Sequence, residues 1–329
     1  MDFRGTADAL RAANYYLLIP AIAVYFVAVF FRSLRWRFLL QPLKATTTRR
    51  LFPVVVIGYM ANNLLPIRLG ELVRAYFLGE KENISKTATL ATILLERVFD
   101  GIILLVFALI VWPFLPLRQL LDNFSTSTGI PVGFLVVIIS APFIIVLAVL
   151  FAAALSKSVA VGISKVILAV LPRKVRPKVQ PFIERFIEGL AALRSPRRVL
   201  AVFVLSAPVW LAEATMYFII SIAFNLSQPF HAILLSTSTA NLAITAPSTG
   251  GGIGPFEWAT KLTLTSLGAP DAAAGAYAIV LHAALLVPVT VLGLYYLWSL
   301  NLSLGEMTRG KKWAGEPKAE AVAERTDQK

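Results

Sequence analysis

Long apolar runs separated by short polar tracts make up most of this 329-residue chain. A helix of about 18 to 20 apolar residues is long enough to cross a hydrocarbon core of about 30 Å. The runs that reach this length, each without an unpaired charge at its centre, are residues 14–31, 87–111, 132–155, 199–224 and 271–300. The pattern therefore predicts an all-α, polytopic integral membrane protein.

Two further apolar pieces, 51–66 and 232–247, are too short to cross the bilayer comfortably, and each runs into a polar stretch rich in Gly and Pro. Non-helical backbone survives at membrane depth only where protein or a water-filled cavity satisfies its N–H and C=O groups. We therefore expect two re-entrant hairpins beside a lipid-sized polar cavity.

Composition supports a bilayer environment and excludes a large soluble domain. Hydrophobic residues make up 57% of the chain and charged residues 15%, which leaves too little polar surface for a water-exposed fold of this size. The net charge of +13 is carried by residues between the apolar runs, so it does not indicate a nucleic-acid partner.

The distribution of basic residues predicts the orientation in the membrane. Segment 32–50 has six basic and no acidic residues, and segment 156–198 has ten basic residues against two glutamates, whereas 112–131 has one charge of each sign. By the positive-inside rule the first two segments are cytoplasmic and the third is external. The prediction is a protein of the cytoplasmic membrane with its N-terminus outside and its C-terminus inside.

This orientation predicts an inverted-topology repeat. The first apolar run ends inside at Arg32, so the segment 51–86 enters and leaves from the cytoplasm, while 232–268 enters and leaves from outside. The two repeats would cover residues 14–111 and 199–300.

The remaining segments complete a single transmembrane domain, residues 1–304. A linking helix is expected at 132–155, and the segment 156–198 carries apolar residues at helical spacing around Phe186. This amphipathic segment is interpreted either as a helix in the cytoplasmic interface or as a cytoplasmic helix packed on the loops. The polar tail 305–329 is expected to be disordered.

The first candidate hairpin combines helix-breaking residues with charge. Its proline and glycine interrupt the helix, and its arginines offer planar forks that suit phosphate oxygens. The alternative is an ordinary cytoplasmic loop with solvated charges. The candidate lipid-binding residues here are Asn62, Asn63, Pro66, Arg68, Gly70, Glu71 and Arg74.

Three charged residues interrupt the apolar run 87–111, namely Glu96, Arg97 and Asp100. Ionisable groups at the centre of a spanning helix cost about 2.5 to 3.5 kcal/mol each, so these need partners. We expect Arg97 to pair with Glu71 or Asp100, or to contact a ligand phosphate. The alternative is a structural ion-pair network, and the two interpretations are compatible.

The second hairpin is rich in glycine, which permits close approach of the backbone to a ligand and an anion-binding run of N–H groups. A soluble phosphate loop would add a Lys and a Ser or Thr at fixed spacing, which this stretch lacks. A flexible hinge or close helix packing is the alternative. The candidate residues are Asn241, Pro247, Gly250, Gly251, Gly252, Gly254 and Glu257.

No cofactor, metal site or catalytic residue is predicted. Cysteine is absent, and His282 has no second His or carboxylate at ligand spacing in the sequence. An isolated His inside a span is interpreted as hydrogen-bonded structure in preference to a metal ligand or a proton relay.

Three motifs in this order resemble the lysylphosphatidylglycerol synthase transmembrane family, also called flippase-like or UPF0104 proteins, over about residues 15–300. The motifs are Asn63-x-x-Pro66-x-Arg68-x-Gly70-Glu71-x-x-Arg74, Glu96-Arg97-x-x-Asp100 and Pro247-x-x-Gly250-Gly251-x-x-Gly254-x-x-Glu257. The resemblance implies re-entrant segments around a lipid-sized cavity. Two-domain members of this family have a cytoplasmic transferase domain that makes aminoacylated phosphatidylglycerol. The resemblance implies that the transmembrane region of these members moves this lipid across the bilayer. With 25 residues after position 304, that transferase is expected to be missing.

The sequence therefore favours a lipid translocator, flippase or scramblase, that is not an enzyme. Its expected partners are membrane lipids: an anionic or aminoacylated phospholipid, or a polyprenyl-phosphate-linked lipid. The alternatives are a membrane enzyme or an accessory or scaffold protein in lipid-linked glycan or aminoacyl-lipid metabolism. Homodimer formation is left open.

Overall fold

The fold is all-α, as the sequence predicts. The computed structural model describes residues 3–65, 69–115, 122, 125–127, 129–172, 175–244 and 250–300, and no strand occurs in these ranges. The principal helices, in chain order, are α1 Phe3–Ala12, α2 Leu18–Leu40, α3 Thr48–Leu64, α4 Gly70–Glu82, α5 Lys86–Val111, α6 Val132–Leu155, α7 Lys157–Val170, α8 Arg176–Gly189, α9 Pro196–Ala223, α10 Phe230–Ala243, α11 Pro255–Ser266 and α12 Asp271–Ser299.

Three of the described helices are long and apolar enough to cross a bilayer. They are Tyr15–Leu40, Pro196–Ala223 and Asp271–Ser299, with mean hydropathies of 2.1, 1.8 and 2.1. Helices α6 and α7 meet at a bend of 118° and together qualify as one broken span or a re-entrant element. The protein is thus a polytopic membrane protein.

The predicted end of the first span at about residue 31 is wrong. Helix α2 continues to Leu40, and Arg32 and Arg35 on its last turns are buried. Their charges do not end the helix because ion pairs inside the protein compensate them. These two arginines therefore do not belong to a solvated basic loop, and the sidedness of the chain stays a prediction. The predicted tail 305–329 lies outside the described residues.

Each half of the chain has the predicted order of a long helix, two shorter helices and a long helix. Helices α2 and α9 pack along each other, α3 packs on α12, and α10 packs on α5. The first short helix of each half thus contacts the last long helix of the other half. The packing is thus reciprocal between the two halves, and the inverted repeat itself stays a prediction.

Two elements outside the repeats also pack on the bundle. Helix α1, which the sequence interpretation did not include, contacts α12. Helix α8 contacts α5, and a Cβ added to Gly189 would meet the carbonyl of Ala88, so the two helices cross closely. The amphipathic segment therefore packs on the long helix α5, whereas the second interpretation placed it on the loops.

Glycines allow the first hairpin to fold tightly. A Cβ added to Gly70 would collide with the carbonyl oxygen of Gly58 and with Asn62, and a Cβ added to Gly58 would collide with the side chain of Arg74. Small residues at helix contacts let backbones approach closely inside a membrane. The crossing of α3 and α4 carries the Arg74 side chain towards the centre of the bundle.

We expect Gly58→Ala to destabilise the fold by about 2 kcal/mol, because the added methyl group overpacks the α3–α4 crossing. Thermal unfolding in detergent micelles measures this effect. The matched control is Gly162→Ala in α7, where an added Cβ meets no atom within 4 Å. Equal unfolding temperatures for the two variants would contradict the tight crossing.

Candidate functional site

A network of ion pairs lies at the centre of the bundle. Helices α2, α4, α5 and α9 contribute its members, most of which are almost fully buried. The seven side chains are Arg32, Arg35, Arg74, Glu96, Arg97, Asp100 and Glu213.

Arg35 is the centre of this network and is fully buried. Its guanidinium donates to Asp100 Oδ1 at 2.6 Å and to Glu96 Oε1 at 3.2 Å. Arg74 donates to the other oxygen of Glu96 at 2.7 Å and stacks on the Trp36 ring, 4.1 Å from its centroid. Both oxygens of Glu96 are thus paired, and the carboxylate joins α2, α4 and α5.

Arg32 extends the network to the second half of the chain. It donates to Glu213 Oε2 on α9 at 2.5 Å and lies 3.7 Å from Asp100. The Trp210 ring covers its guanidinium at 4.4 Å, and the indole N–H of Trp210 donates to Asp100 at 3.0 Å. The interface of α2 and α9 is therefore held by charge as well as by apolar packing.

Arg97 is the least paired member of the network. Its closest ion pair within the described part of the chain is with Asp100 at 3.8 Å, and 30% of its side chain is exposed. Glu71 attracts it electrostatically but forms no ion pair with it within 4.0 Å. Four arginines therefore face three carboxylates in the network, and the positive charge with the weakest pairing is on Arg97.

A cavity of about 110 Å³ lies beside this arginine, between the two halves of the chain. Helices α2, α3, α5, α9, α10 and α12 all contribute to its wall. Its polar lining consists of Tyr25, Arg32, Tyr59, Asn62, Asn63, Arg97, Trp210, Glu213, Asn241 and His282. We call this space the central cavity.

Two donors on this wall lack a protein partner within the described ranges, namely the hydroxyl of Tyr59 and Nε of Arg97. A buried polar group without a partner is costly, so such groups usually bind water or a ligand. Both atoms are donors with almost no accessible surface, so an acceptor such as a phosphate oxygen reaches them only when the cavity wall opens. The central cavity thus has the electrostatics of an anion site.

Asparagines at the ends of the first short helices hold the cavity walls together. Asn63 on α3 donates to Thr290 Oγ1 at 2.9 Å, which ties the first hairpin to α12. Asn241 on α10 lies within hydrogen-bonding distance of Glu213 at 3.2 Å and of the Tyr217 hydroxyl at 3.1 Å. Each hairpin is thereby fixed to a long helix.

The two hairpin glutamates lie at helix N-termini. Asn62 Oδ1 accepts from the Gly70 N–H at 2.7 Å and Asn62 Nδ2 donates to Glu71 Oε1 at 3.3 Å, at the start of α4. At the start of α11, Glu257 Oε2 accepts from the Gly254 N–H at 2.8 Å. A carboxylate in the first helical turn is favoured by the helix dipole, so both residues stabilise the turns that interrupt the hairpins.

Glu257 also has a partner that sequence reasoning did not find. Its Oε1 lies 2.5 Å from Nδ1 of His282 on α12, and Nε2 of the same ring lies 3.0 Å from the carbonyl oxygen of Gly251. The imidazole stacks on Phe256 with ring centroids 4.3 Å apart. His282 is thus hydrogen-bonded structure, with a carboxylate that is 25 residues away along the chain.

The predicted site residues fall into four groups. Those that line the central cavity are Asn62, Asn63, Arg97, Asn241 and Gly251, whereas Arg74, Glu96 and Asp100 belong to the ion-pair network. Those that shape the turns and helix starts are Gly70, Glu71, Gly250, Gly252, Gly254 and Glu257. Pro66, Arg68 and Pro247 lie outside the described residues.

Sequence reasoning missed Arg32, Arg35 and Glu213. The two arginines were assigned to a solvated loop because they directly follow an apolar run. Glu213 could have been recognised from the sequence as a buried ion-pair partner, because it is an acidic residue inside the apolar run 199–224. An unpartnered acid there requires a buried base, and the i, i+3 pair of arginines supplies one.

Within the described ranges no group of three or more His, Cys, Asp or Glu side chains is placed to hold a metal ion.

Comparison with known proteins identifies the family. Residues 1–293 match the family described as the lysylphosphatidylglycerol synthase TM region, and the chain belongs to this family. No solved structure matches the chain.

The similar curated proteins include archaeal membrane proteins. A UPF0104 membrane protein of Methanothermobacter thermautotrophicus is 27% identical over 263 residues, which cover 76% of this chain and 75% of the relative. A second UPF0104 protein of that organism is 25% identical over 301 residues, covering 87% and 84%. Glycosyltransferase AglD of Haloferax volcanii is 27% identical over 326 residues, covering 90% of this chain and 51% of AglD. The chain therefore spans about half the length of AglD.

We expect Glu96→Gln to lower the free energy of unfolding by about 3 to 5 kcal/mol, because Arg35 and Arg74 would both lose a buried counter-charge. Denaturant unfolding in detergent micelles measures the change. The control is Glu80→Gln, whose pair with Lys86 is 2.7 Å long but whose own side chain is 41% exposed. Such a partly exposed pair contributes only about 0 to 1 kcal/mol. If both variants unfolded alike, the network would not be the main electrostatic support of the fold.

Proposed function

We propose that the protein binds the phosphate-containing head group of a membrane lipid in the central cavity and moves it across the bilayer. The observation that carries this proposal is the excess positive charge of the ion-pair network, which is exposed to the cavity at Arg97. A charge of this kind inside a membrane protein is costly unless it has a functional counter-ion. A lipid phosphate is the anion that the bilayer supplies in abundance.

The cavity provides donors of the right kind for a phosphate group. Arg97 offers a guanidinium whose Nε lacks a protein partner, and the Tyr59 hydroxyl is likewise unpaired in the described ranges. Arginine suits phosphate because its planar fork donates two parallel hydrogen bonds. The proposed contacts are therefore made by Arg97 and Tyr59, while Arg74 holds Glu96 in place.

The size of the cavity limits what enters it. A volume of about 110 Å³ holds about three or four waters at ~30 Å³ each. A phosphate and a small polar substituent fit such a space, whereas acyl or polyprenyl chains do not. In the proposed mechanism the head group occupies the cavity and the hydrocarbon tails stay in the bilayer.

Movement across the membrane requires the cavity to open to each side in turn. Both hairpins are broken helices that reach the cavity, and transporters with inverted repeats bind substrate at such breaks. Helix α3 packs on α12 and helix α10 packs on α5, so the two halves contact each other at two similar places. We propose that one half rocks against the other about the α2–α9 contact.

The pairing of Glu213 supports a transporter in preference to an enzyme that would use this carboxylate. Glu213 is the carboxylate that lines the cavity, and its two oxygens are occupied by Arg32 at 2.5 Å and by Asn241 at 3.2 Å. A general acid or base must be free to exchange a proton with its substrate. Glu213 is instead held as a counter-ion.

A second candidate function follows from the glycosyltransferase relative. AglD bears the name glycosyltransferase and this chain matches about half of its length. The alternative proposal is that the protein binds a lipid-linked glycan as the membrane partner of a separate transferase. In that case it binds polyprenyl-phosphate lipids without moving them.

Transport is tested by reconstituting the purified protein in vesicles that contain fluorescent phosphatidylglycerol. A membrane-impermeant reductant bleaches only fluorescent lipid in the outer leaflet. Loss of the fluorescence that comes from the inner leaflet therefore measures translocation. We expect Arg97→Gln to lower the rate about tenfold or more, since a hydrogen bond to a charged group contributes about 1.5 to 3 kcal/mol. Aminoacylated phosphatidylglycerol and a fluorescent polyprenyl phosphate are the other test lipids.

The control variant is Arg197→Gln, which removes the same charge from an exposed position at the start of α9. It is expected to transport at the wild-type rate. A wild-type rate in Arg97→Gln, or no translocation of any test lipid by folded protein, would refute the proposal. Tight binding of polyprenyl phosphate without translocation would support the accessory function.

A further inference from the structure

A second space lies next to the central cavity. It is a groove of about 550 Å³ between α11 and α12, and its lining is mainly apolar, with Ile253, Trp258 and Ile279 among the wall residues. His282 lines the central cavity and Glu257 lines the groove. The contact between these two side chains is therefore part of the wall that separates the two spaces.

The geometry of His282 determines where its protons are. Nε2 lies 3.0 Å from the Gly251 carbonyl oxygen, which can only accept, so Nε2 carries a hydrogen. Nδ1 lies 2.5 Å from Glu257 Oε1, and a hydrogen bond of this length needs one proton between the two atoms. The pair therefore holds one shared proton in addition to the Nε2–H.

Loss of the shared proton would break the contact. With Nε2 still bound to Gly251, the lone pair of Nδ1 would face the lone pairs of a carboxylate oxygen, which repel it. Either the ring turns away from Gly251 or Glu257 moves off the ring. The His282 side chain is 4% exposed and stacked on Phe256, so the ring has little room to turn to another partner.

Glycines form the turn that this pair holds. Gly251, Gly252 and Gly254 have φ values of 75°, 82° and 100°, which glycine adopts without strain. Glu257 holds the Gly254 N–H and His282 holds the Gly251 carbonyl, so the pair fastens both ends of the turn. Release of the pair frees the turn from α12.

We propose that His282 and Glu257 form a proton-binding site whose shared proton closes the wall between the central cavity and the α11–α12 groove. With the proton bound, the glycine turn is fastened and the cavity is closed on this side. When the proton leaves, the turn detaches and a lipid head group passes between the groove and Arg97. This last step rests on the proposed transport function, whereas the proton site does not.

Other charged and titratable groups face the pair from both sides. On the cavity side they are Arg32, Arg97, Glu213, Tyr25 and Tyr59, and on the groove side Lys261 and Asp271. Lys261 and Asp271 are paired with each other at 2.8 Å, and Arg32 is paired with Glu213 at 2.5 Å. Arg97 is thus the least compensated charge facing the site.

This arrangement predicts that head group and proton bind cooperatively. The positive charge of Arg97 opposes a further positive charge on the pair, and an anion bound at Arg97 removes that opposition. By linkage, the proton must then favour anion binding to the same extent. The closed, protonated state is therefore the state that retains a bound head group.

Thiol labelling in the naturally cysteine-free chain tests the proton site directly. Leu286→Cys places a thiol on the cavity wall beside Gly251, and its labelling rate in detergent micelles reports access through the turn. The reference is the same cysteine combined with Glu257→Gln. The glutamine amide donates to Nδ1 without an added proton and its oxygen still accepts from Gly254, so this variant stays closed at every pH.

The ratio of the two labelling rates cancels the pH dependence of the thiol itself. We expect a ratio of about 1 at pH ~5.5, where the shared proton is held, that rises about tenfold or more by pH ~8.5, where the shared proton is lost. His282→Ala should label rapidly throughout, because the turn has lost its tie to α12. A ratio near 1 at all pH values would overturn the proposal.

The other histidine provides a matched control and a second measurement. His231 lies near Phe114, away from the pair, so His231→Gln should keep the full pH response. The same substitution leaves His282 as the one imidazole of the chain, and nitrogen-15 NMR then reports its protonation without any cysteine or Glu257 variant. A ring with an unprotonated, unbonded Nδ1 at pH ~5.5 would refute the shared proton.

Neither measurement requires lipid movement, so the two proposals fail separately. Lipid translocation together with a labelling ratio that does not change with pH would overturn the proton site. The proposed transport function would then still hold. A pH-dependent ratio without translocation of any test lipid would support the proton site and refute transport.

Discussion

The structure depends on one constraint: charges buried in a membrane protein must be compensated within the protein. Arg35, which is fully buried, meets this constraint by pairing with Asp100 and Glu96 on α5. Because removal of either partner would leave an uncompensated charge, the pairs fix how α2 and α5 are rotated towards each other. Arg32 and Glu213 do the same for α2 and α9. Buried ion pairs thus connect α2 to α5 and α9, and apolar packing supplies much of the contact area.

The candidate site follows from that constraint. A network with equal charges would be complete in itself, but this one has an additional arginine, and Arg97 is where the network meets the cavity. Glycines and helix-starting carboxylates shape the described parts of the two hairpins beside the cavity. Membership of the lysylphosphatidylglycerol synthase transmembrane-region family agrees with a role that involves membrane lipids.

Several predictions from sequence agree with the structure because they depend on local properties. Apolar length predicted helices at α5, α6, α9 and α12, and Pro and Gly predicted the breaks that separate α3 from α4 and α10 from α11. The candidate residues Asn63, Arg97 and Asn241 line one cavity. The sequence did not predict the environment of an arginine that follows an apolar run. An arginine in a loop and a buried arginine have the same local pattern, and only the ion-pair partner distinguishes them.

By itself, the sequence determined the membrane environment, the all-α class, the broken hairpins and the family, because hydropathy, helix-breaking residues and motif order are properties of neighbouring positions. Only the tertiary structure decided the roles of the charges. It paired Arg32 with Glu213, which is 181 residues away, and His282 with Glu257 across a glycine turn. The physical reason is that the energy of a buried charge depends on which groups lie within a few ångströms of it, and chain spacing does not report that distance.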